Sequence, residues 1–353
     1  MQEQSIYLDR YQLLRLLGRG GMGEVWLARD LELEAEVALK FLVSSFDEKE
    51  TEILRRETKQ ARKLSHPHIL SVYDFHTQVD GVAAISMEYA PGGSLGSLVS
   101  RGVPVLEVSE LSNWILQVCD ALSYAHEECG LVHRDIKPHN IMLSGFESVK
   151  LADFGLSAQL AMSLDSESER VIGNRLTLHY ASPQVIWNPY ESHYLNDVYA
   201  LGVTIFKLLT STYPFKDPKA DFWSWDPHNL LSMSERRKEN GLGCEPIPRR
   251  WDYAVAKCLA EDPSDRPASI REFKELLIGD SLEKAAEISL PLPSPQKGKA
   301  AKPGRLFSRL VVFVIAAAVT GLLVGILWGL FEIVNRDEAA ASGPNAEIVE
   351  LLE

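Results

Sequence analysis

The stretch that decides the fold runs from His133 to Asn140 and reads His-Arg-Asp-Ile-Lys-Pro-His-Asn; a second stretch, Val149 to Gly155, reads Val-Lys-Leu-Ala-Asp-Phe-Gly. Phosphoryl transfer asks a protein for positioning, cations and oxygen ligands for a metal more than for covalent chemistry. Asp135 can accept a hydroxyl proton, and Lys137 can neutralise a moving phosphoryl group. Asn140 and Asp153 offer the oxygen atoms that Mg²⁺ prefers. The two stretches together predict a magnesium-dependent phosphoryl-transfer site.

A glycine-rich segment lies upstream, Leu17 to Val25, and reads Leu-Gly-Arg-Gly-Gly-Met-Gly-Glu-Val. Glycines let a backbone lie close to phosphate groups, where a Cβ would obstruct it. The pattern alone is weak, because dinucleotide-binding folds share it and open a helix at the third glycine. Here the next residues, Val25 to Ala28, favour a strand. The segment therefore predicts a β-hairpin with glycines at its tip.

A lysine follows in a second apolar segment, Val37-Ala38-Leu39-Lys40. An isolated lysine is most often solvated at the surface. Inside a β-prone run its ammonium needs a partner, and both phosphate oxygens and Glu57 on the next predicted helix, 47–64, would supply one. The downstream aspartates favour this second interpretation.

Along the chain the five motifs follow one another as the glycine loop, the strand lysine, the helix glutamate, H-R-D-x-x-x-x-N and D-F-G. In this order they resemble the eukaryotic-like serine/threonine protein kinases of bacteria over about residues 11–278. The resemblance implies an α+β, bilobal protein-kinase fold, with a small β-rich amino-terminal lobe and a large helical carboxyl-terminal lobe. It also implies transfer of the ATP γ-phosphate to Ser/Thr hydroxyls of protein substrates, with ATP and Mg²⁺ as cofactors. The kinase domain is expected to occupy residues 11–280.

The resemblance carries functional roles onto individual residues of this chain. The implied catalytic residues are Asp135, Lys137, Lys40 and Glu57; the implied metal ligands are Asn140 and Asp153; and the implied ATP-binding residues are Leu17, Gly18, Arg19, Gly20, Gly21, Met22, Gly23, Glu24, Val25, Ala38, Lys40, Glu88, Ala90 and Met142. Met87 matches the gatekeeper position before the hinge Glu88-Tyr89-Ala90. Asp197 and Arg266 match two scaffold residues of the large lobe.

Two residues indicate the class of acceptor. Lys137 and Thr177 both match positions typical of serine/threonine kinases, and Thr177 is expected to contact the substrate beside the acceptor. One residue departs from the family pattern: Gln184 stands where the family has the glutamate that pairs with the residue matching Arg266. A glutamine loses the charge-assisted part of that bond, about 1–2 kcal/mol, so a looser activation segment is expected.

Regulation by phosphorylation is expected because Arg134 precedes the catalytic aspartate. A phosphate on the segment between Asp153 and Gln184 would offer oxygens to that guanidinium and order the segment. Ser166 or Ser168 is the expected autophosphorylation site, although a solvated acidic loop is nearly as good an explanation. Dimerisation for autophosphorylation in trans is a further expectation.

The carboxyl-terminal part of the chain has a different composition. Residues 281–309 form a Pro/Lys-rich linker, and residues 310–331 carry no charged side chain. As a helix the latter run is about 33 Å long, enough to cross a bilayer core of about 30 Å. Basic residues precede it and an acidic tail, 332–353, follows. The positive-inside rule therefore predicts a single-pass protein of the cell membrane with a cytoplasmic kinase domain and an extracytoplasmic tail.

Composition and motif integrity exclude or disfavour other classes. A formal net charge of −13 argues against a nucleic-acid partner. A pseudokinase scaffold would show erosion at Lys40, Asp135, Asn140 or Asp153, and all four are intact. The short tail offers no folded sensor domain, which disfavours a membrane receptor. Thr177 disfavours a small-molecule phosphotransferase.

Overall fold

The computed structural model describes residues 2–20, 23–42, 48–77, 83–102, 105–145, 147–154, 179–188, 191–215, 230–242 and 245–279, with side chains from residue 51 onward in the first helix. Several predicted features lie outside these ranges: Gly21, Met22, Thr177, Ser166, Ser168, the linker 281–309, the apolar run 310–331 and the tail 332–353. Among the helices of the described ranges, none has the length and apolar character needed to cross a membrane.

The small lobe is built on an antiparallel sheet. Its strands are β1 Ile6–Tyr7, β2 Tyr11–Gly20, β3 Gly23–Asp30, β4 Ala35–Leu42, β5 Val72–Thr77 and β6 Ala83–Glu88, in the spatial order β1-β2-β3-β4-β6-β5. Helix α1, Glu48–Ala61, connects β4 to β5 in the chain. The predicted hairpin is present as β2 and β3, whose last described pair is Gly20 with Gly23.

Side-chain alternation along β4 separates the two faces of this sheet. Val37, Leu39 and Phe41 pack in one apolar cluster with residues of β1 to β3. Ala38, between them, packs in a second cluster with Met87. Because side chains two residues apart share a face of a strand, Ala38 and Lys40 lie on the same side of β4.

The large lobe is mainly helical. Its helices are α2 Leu95–Ser100, α3 Val108–Ser123, α4 Pro183–Trp187, α5 Tyr194–Thr210, α6 Met233–Glu239, α7 Arg249–Cys258 and α8 Ile270–Ile278, with the short strands β7 Ile141–Leu143 and β8 Val149–Leu151. Helix α5 is the centre of this lobe, since almost all of its residues are buried. Hydroxyl side chains begin the neighbouring helices: Ser232 caps α6 and Ser269 caps α8.

Helix boundaries agree with the sequence expectations to within a few residues. The helix expected over 47–64 is observed over 48–61, and α3 continues into a π-helical turn at Tyr124–Glu128. The β-rich and helical parts of the chain meet at the hinge that follows β6.

Candidate active site

The loop between α3 and β7 brings three predicted side chains to one point. The Lys137 ammonium lies 2.9 and 2.8 Å from the two carboxylate oxygens of Asp135. The Asn140 amide nitrogen donates to the Asp135 carbonyl oxygen at 2.7 Å and to its carboxylate at 3.0 Å. The amide oxygen of Asn140 therefore keeps its lone pairs for another ligand.

Asp197 at the start of α5 holds this loop from below. Its carboxylate accepts from the backbone nitrogen of His133 at 2.7 Å, from that of Arg134 at 2.8 Å and from the Nε2 of His126 at 2.7 Å. Arg134 has a φ of 71°, a region that non-glycine residues rarely adopt. A fully buried carboxylate with three donors is what keeps the backbone in that conformation.

His133 is a neutral structural residue beneath the site. Its Nδ1 accepts from the backbone nitrogen of Asp135 at 3.2 Å, so Nε2 carries the proton and donates to the Ala152 carbonyl at 2.9 Å. Its ring packs on that of Phe154, with 4.5 Å between centroids. Burial lowers the pKa of His133, which agrees with the neutral tautomer.

Lys40 and Asp153 join across the cleft. The Lys40 ammonium lies 2.8 Å from the Asp153 carboxylate, and both residues are largely buried. Burial alone would raise the pKa of Asp153, but the ammoniums of Lys40 and Lys137 outweigh it, and the pKa is lowered. Asp153 has a φ of 64° and so occupies the second strained backbone position of the site.

Glu57 does not occupy the expected position. The ion pair predicted between Glu57 and Lys40 is replaced by the Lys40–Asp153 pair, and no described residue forms a hydrogen bond with the Glu57 carboxylate. Glu57 instead lines a cavity of about 290 Å³ together with Arg56 and Arg134. Burial raises the pKa of Glu57, and the two guanidiniums only partly oppose this. In place of the predicted contact with the Lys40 ammonium, the Glu57 carboxylate is stabilised only by the weaker electrostatic attraction of Arg134 and Arg56.

An apolar slot lies beside the hinge, where the predicted adenine-contacting residues meet. Ala38, Met87, Ala90 and Ala152 are buried in one cluster, and Met142 packs against it. These side chains are small or unbranched and apolar, which is the kind of lining that suits a planar base.

The glycines of the β2–β3 hairpin fall into two groups. A Cβ on Gly23 would lie 1.7 Å from the carbonyl oxygen of Phe41 on β4, and its φ is +142°, so the sheet itself requires glycine there. Gly18 and Gly20 have nothing within 4 Å of a Cβ. Glu24 is held by Arg19 at 2.9 Å and by Trp26 at 3.0 Å. Protein packing therefore explains Gly23, whereas no described residue would contact a Cβ at the other two.

The hinge contains a contact that sequence reasoning missed. The Glu88 carboxylate accepts from the Lys150 ammonium of β8 at 3.0 Å and from the backbone nitrogen of Ser71 at 3.2 Å. Lys150 alternates with the buried Val149 and Leu151, so the pattern of β8 could have indicated that its side chain leaves the core on the opposite side. Nothing in the local sequence identifies Glu88 as its partner.

Gln184 replaces the family glutamate with two bonds of its own. Its Oε1 accepts from the Arg266 guanidinium at 2.7 Å, and its Nε2 donates to the Glu261 carbonyl at 2.9 Å. The guanidinium also reaches the carbonyls of Ala260 and Leu195. Burial lowers the pKa of Arg266. A glutamate could not donate to Glu261, so the amide contacts both neighbours. Residues 155–178 of the activation segment lie outside the described residues, and its looser order stays a prediction.

The donor set fits a magnesium ion. Asn140 and Asp153 each present a carboxylate or amide oxygen that is not taken by the contacts described above, and Mg²⁺ is bound in proteins by one or two such oxygens plus phosphate and water. Among the residues that the structure describes, no group of three or more His, Cys, Asp or Glu side chains forms a separate metal site.

Comparison with known proteins now supplies the family. The family model for the protein kinase domain matches residues 11–277.

The chain belongs to the protein kinase family.

Among its curated relatives, the serine/threonine-protein kinase PrkC of Bacillus subtilis is 34% identical over 259 residues, which cover 73% of this chain and 38% of PrkC. The serine/threonine-protein kinase PknB of Mycobacterium tuberculosis is 34% identical over 286 residues, covering 79% of this chain and 44% of PknB. The kinase thus spans less than half the length of these two relatives.

Solved structures give the same fold. The crystal structure of the M. tuberculosis PknI kinase domain superposes with a TM-score of 0.59 and 29% identity, over 81% of this chain and 100% of that one. The predicted bacterial kinase family and the bilobal fold are confirmed.

Proposed function

We propose that this protein kinase transfers the γ-phosphate of ATP to serine and threonine hydroxyls of protein substrates. The observation that carries the proposal is that Lys137 and Asn140 each lie within 3.0 Å of the Asp135 carboxylate, in a chain that also pairs Lys40 with Asp153. These are the groups on which phosphoryl transfer depends. The relatives that carry the name serine/threonine-protein kinase support the same acceptor class.

Each residue then has a defined task. When bound, Mg-ATP supplies the phosphoryl group and a cation that neutralises the developing charge. Asp135 accepts the proton of the acceptor hydroxyl, and Lys137 stabilises negative charge beside it. Asn140 and Asp153 would hold the metal through their oxygens, and Lys40 would position the phosphates.

Substrate-side roles rest on sequence alone. Thr177 contacts the residue that follows the acceptor, and Ser166 or Ser168 receives the autophosphate that Arg134 would bind. The Arg134 guanidinium borders the cavity beside Glu57, where a phosphate could approach it. Its Nε donates to the Ser192 hydroxyl at 2.9 Å.

The decisive experiment compares the full-length wild type with Asp135→Asn, using Mg-ATP labelled at the γ-phosphate and a generic protein substrate. Wild type should label serine and threonine, and Asp135→Asn should lose at least about 100-fold, as expected for removal of a general base. Asp9→Asn, an exposed acid on the turn before β2, is the matched control and should keep wild-type activity. Equal labelling by wild type and Asp135→Asn would rule out the mechanism. Absence of labelling by both would favour the pseudokinase scaffold.

We further propose that residues 310–331 anchor the kinase in the cell membrane, with residues 1–309 cytoplasmic and the acidic tail 332–353 outside. The support is the uncharged length of the run and the basic residues that precede it. Close packing of anchored copies would also favour dimerisation and autophosphorylation in trans.

Fractionation tests the anchor. The full-length chain should sediment with membranes and resist alkaline carbonate, whereas Leu322→Arg combined with Leu323→Arg should release it, because central arginines disfavour insertion. Recovery of the unaltered chain in the soluble fraction would contradict the anchor without touching the kinase proposal.

A further inference from the structure

We propose that Lys150 and Glu88 are positioning residues for nucleotide binding: their ion pair fixes the hinge, which contacts the adenine, to the strand that carries the metal-binding aspartate. The inference deepens the proposed function, because it concerns the same ATP site. The family resemblance places Glu88 among the ATP-binding residues of the hinge, but it gives no role to Lys150 and none to the contact between the two side chains.

The ion pair crosses between the lobes. Glu88 ends β6 of the small lobe and begins the hinge, and Lys150 is the central residue of β8 in the large lobe. The side chains are 25% and 19% exposed, so the contact is partly shielded from solvent. Two residues after Lys150 the backbone reaches Ala152 of the apolar slot, and Asp153 follows.

Main-chain hydrogen bonds close a ring around this pair. Leu151 donates to the His68 carbonyl at 2.9 Å, and Leu70 donates to the Leu151 carbonyl at 2.9 Å. One residue further, Glu88 donates to the Ser71 carbonyl at 2.9 Å, and Ser71 donates back to the Glu88 carboxylate at 3.2 Å. The segment 68–71 is therefore bound to β8 at one end and to the hinge at the other.

The Lys150 side chain adds a direct contact between β8 and the hinge. Without it, β8 and the hinge stay connected through the segment 68–71, through the apolar cluster around Ala152 and through β7, but the Glu88 carboxylate loses its charged partner while keeping the Ser71 amide. The fold should survive, since the main-chain bonds are untouched. The hinge, however, loses a direct charged contact with the strand that precedes Asp153, so the separation between the adenine and phosphate sites is held less tightly.

The test measures binding of a fluorescent ATP analogue, and the KM for ATP against kcat, in the full-length protein. Lys150→Met and Glu88→Gln should each weaken nucleotide binding roughly threefold to tenfold, the effect of one partly exposed charge-assisted bond, with kcat changed less than about twofold. The double variant should be no weaker than either single variant, because all three lack the same contact. Lys150→Arg should restore most of the affinity.

The double-mutant cycle separates positioning from a simple field effect. If charge alone mattered, Lys150→Met would weaken binding of the ATP anion, Glu88→Gln would strengthen it, and the double variant would return to wild type. That pattern would overturn the proposal, as would unchanged binding in both single variants. Lys274→Met is the matched control: it breaks an ion pair with Asp120 at 2.5 Å on α8 and α3 and should leave nucleotide binding unchanged.

Binding and catalysis are read separately in this design. A wild type that binds nucleotide without transferring phosphate would contradict the proposed function, yet the binding cycle would still confirm or refute the role of Lys150.

Discussion

Replacing Gln184 by alanine should destabilise the large lobe by about 2 kcal/mol. The bond from the buried Arg266 guanidinium to Oε1, at 2.7 Å, belongs to the class worth about 1.5–3 kcal/mol when a charged group loses its partner. The exposed bond from Nε2 to the Glu261 carbonyl adds about 0.5 kcal/mol. Because Arg266 keeps three other carbonyl acceptors, the lower half of the combined range applies.

Thermal unfolding measures this effect directly. For a domain of this size 2 kcal/mol corresponds to a fall in the unfolding midpoint of about 4–8 °C. Gln12→Ala, which removes a single exposed bond to Gln4, is the control and should shift the midpoint by less than about 2 °C. A midpoint for Gln184→Ala equal to that of the control would refute the reasoning.

The glutamate variant tests why an amide stands here. Gln184→Glu would gain an ion pair with Arg266. It would also place a carboxylate oxygen against the Glu261 carbonyl oxygen, which in the wild type accepts from Gln184 Nε2 at 2.9 Å. We expect the gain and the repulsion to cancel within about 1 kcal/mol. Stabilisation by more than about 2 kcal/mol would show that the amide is merely tolerated.

Three further predictions concern titration and backbone strain. Because burial raises the folded-state pKa of Glu57, the wild type loses stability as pH rises from about 4.5 to that pKa. Glu57→Gln should therefore be the more stable protein at pH 7, and the stabilities of the two proteins should converge below about pH 4. Parallel curves of unfolding free energy against pH would contradict the assignment. The folded-state pKa of His133 is lowered, so ¹⁵N NMR should show its neutral Nε2–H tautomer at pH 6.5. For the same reason His133 should contribute to a loss of stability as pH falls below about 6.5. An imidazolium signal from His133 at pH 6.5 would be the opposing result. Gly23→Ala should cost about 3 kcal/mol or more because its Cβ meets Phe41, whereas Gly20→Ala, judged by stability alone, should cost less than about 1 kcal/mol; similar losses in both would contradict the steric explanation.

The sequence was sufficient for the fold and for the centre of the site. Asp135, Lys137 and Asn140 lie within a few residues of one another, so their proximity follows from a single loop. The β-prone apolar run around Lys40 located β4. Short-range pattern is what a sequence records well.

Contacts between distant segments could not be predicted in the same way. The partner of Lys40 depends on where α1 settles against the sheet, and the structure pairs the lysine with Asp153 and leaves Glu57 among arginines. The Lys150–Glu88 pair joins residues 62 apart in the chain. For Gln184 the missing information was the nearby carbonyl of Glu261, a backbone group that no residue letter reveals.

Strand β4 has a further consequence for the range of ligands that the kinase can accept. Ala38 and Lys40, which are predicted to contact the base and the phosphates of ATP, lie on the same face of one strand, about 6.6 Å apart along it. Because side chains alternate between the two faces of a strand, one residue inserted or deleted between Ala38 and Lys40 would turn the ammonium to the opposite face, where Leu39 and Phe41 pack. The two-residue step from Ala38 to Lys40 must therefore keep its length if one nucleotide is to contact both side chains.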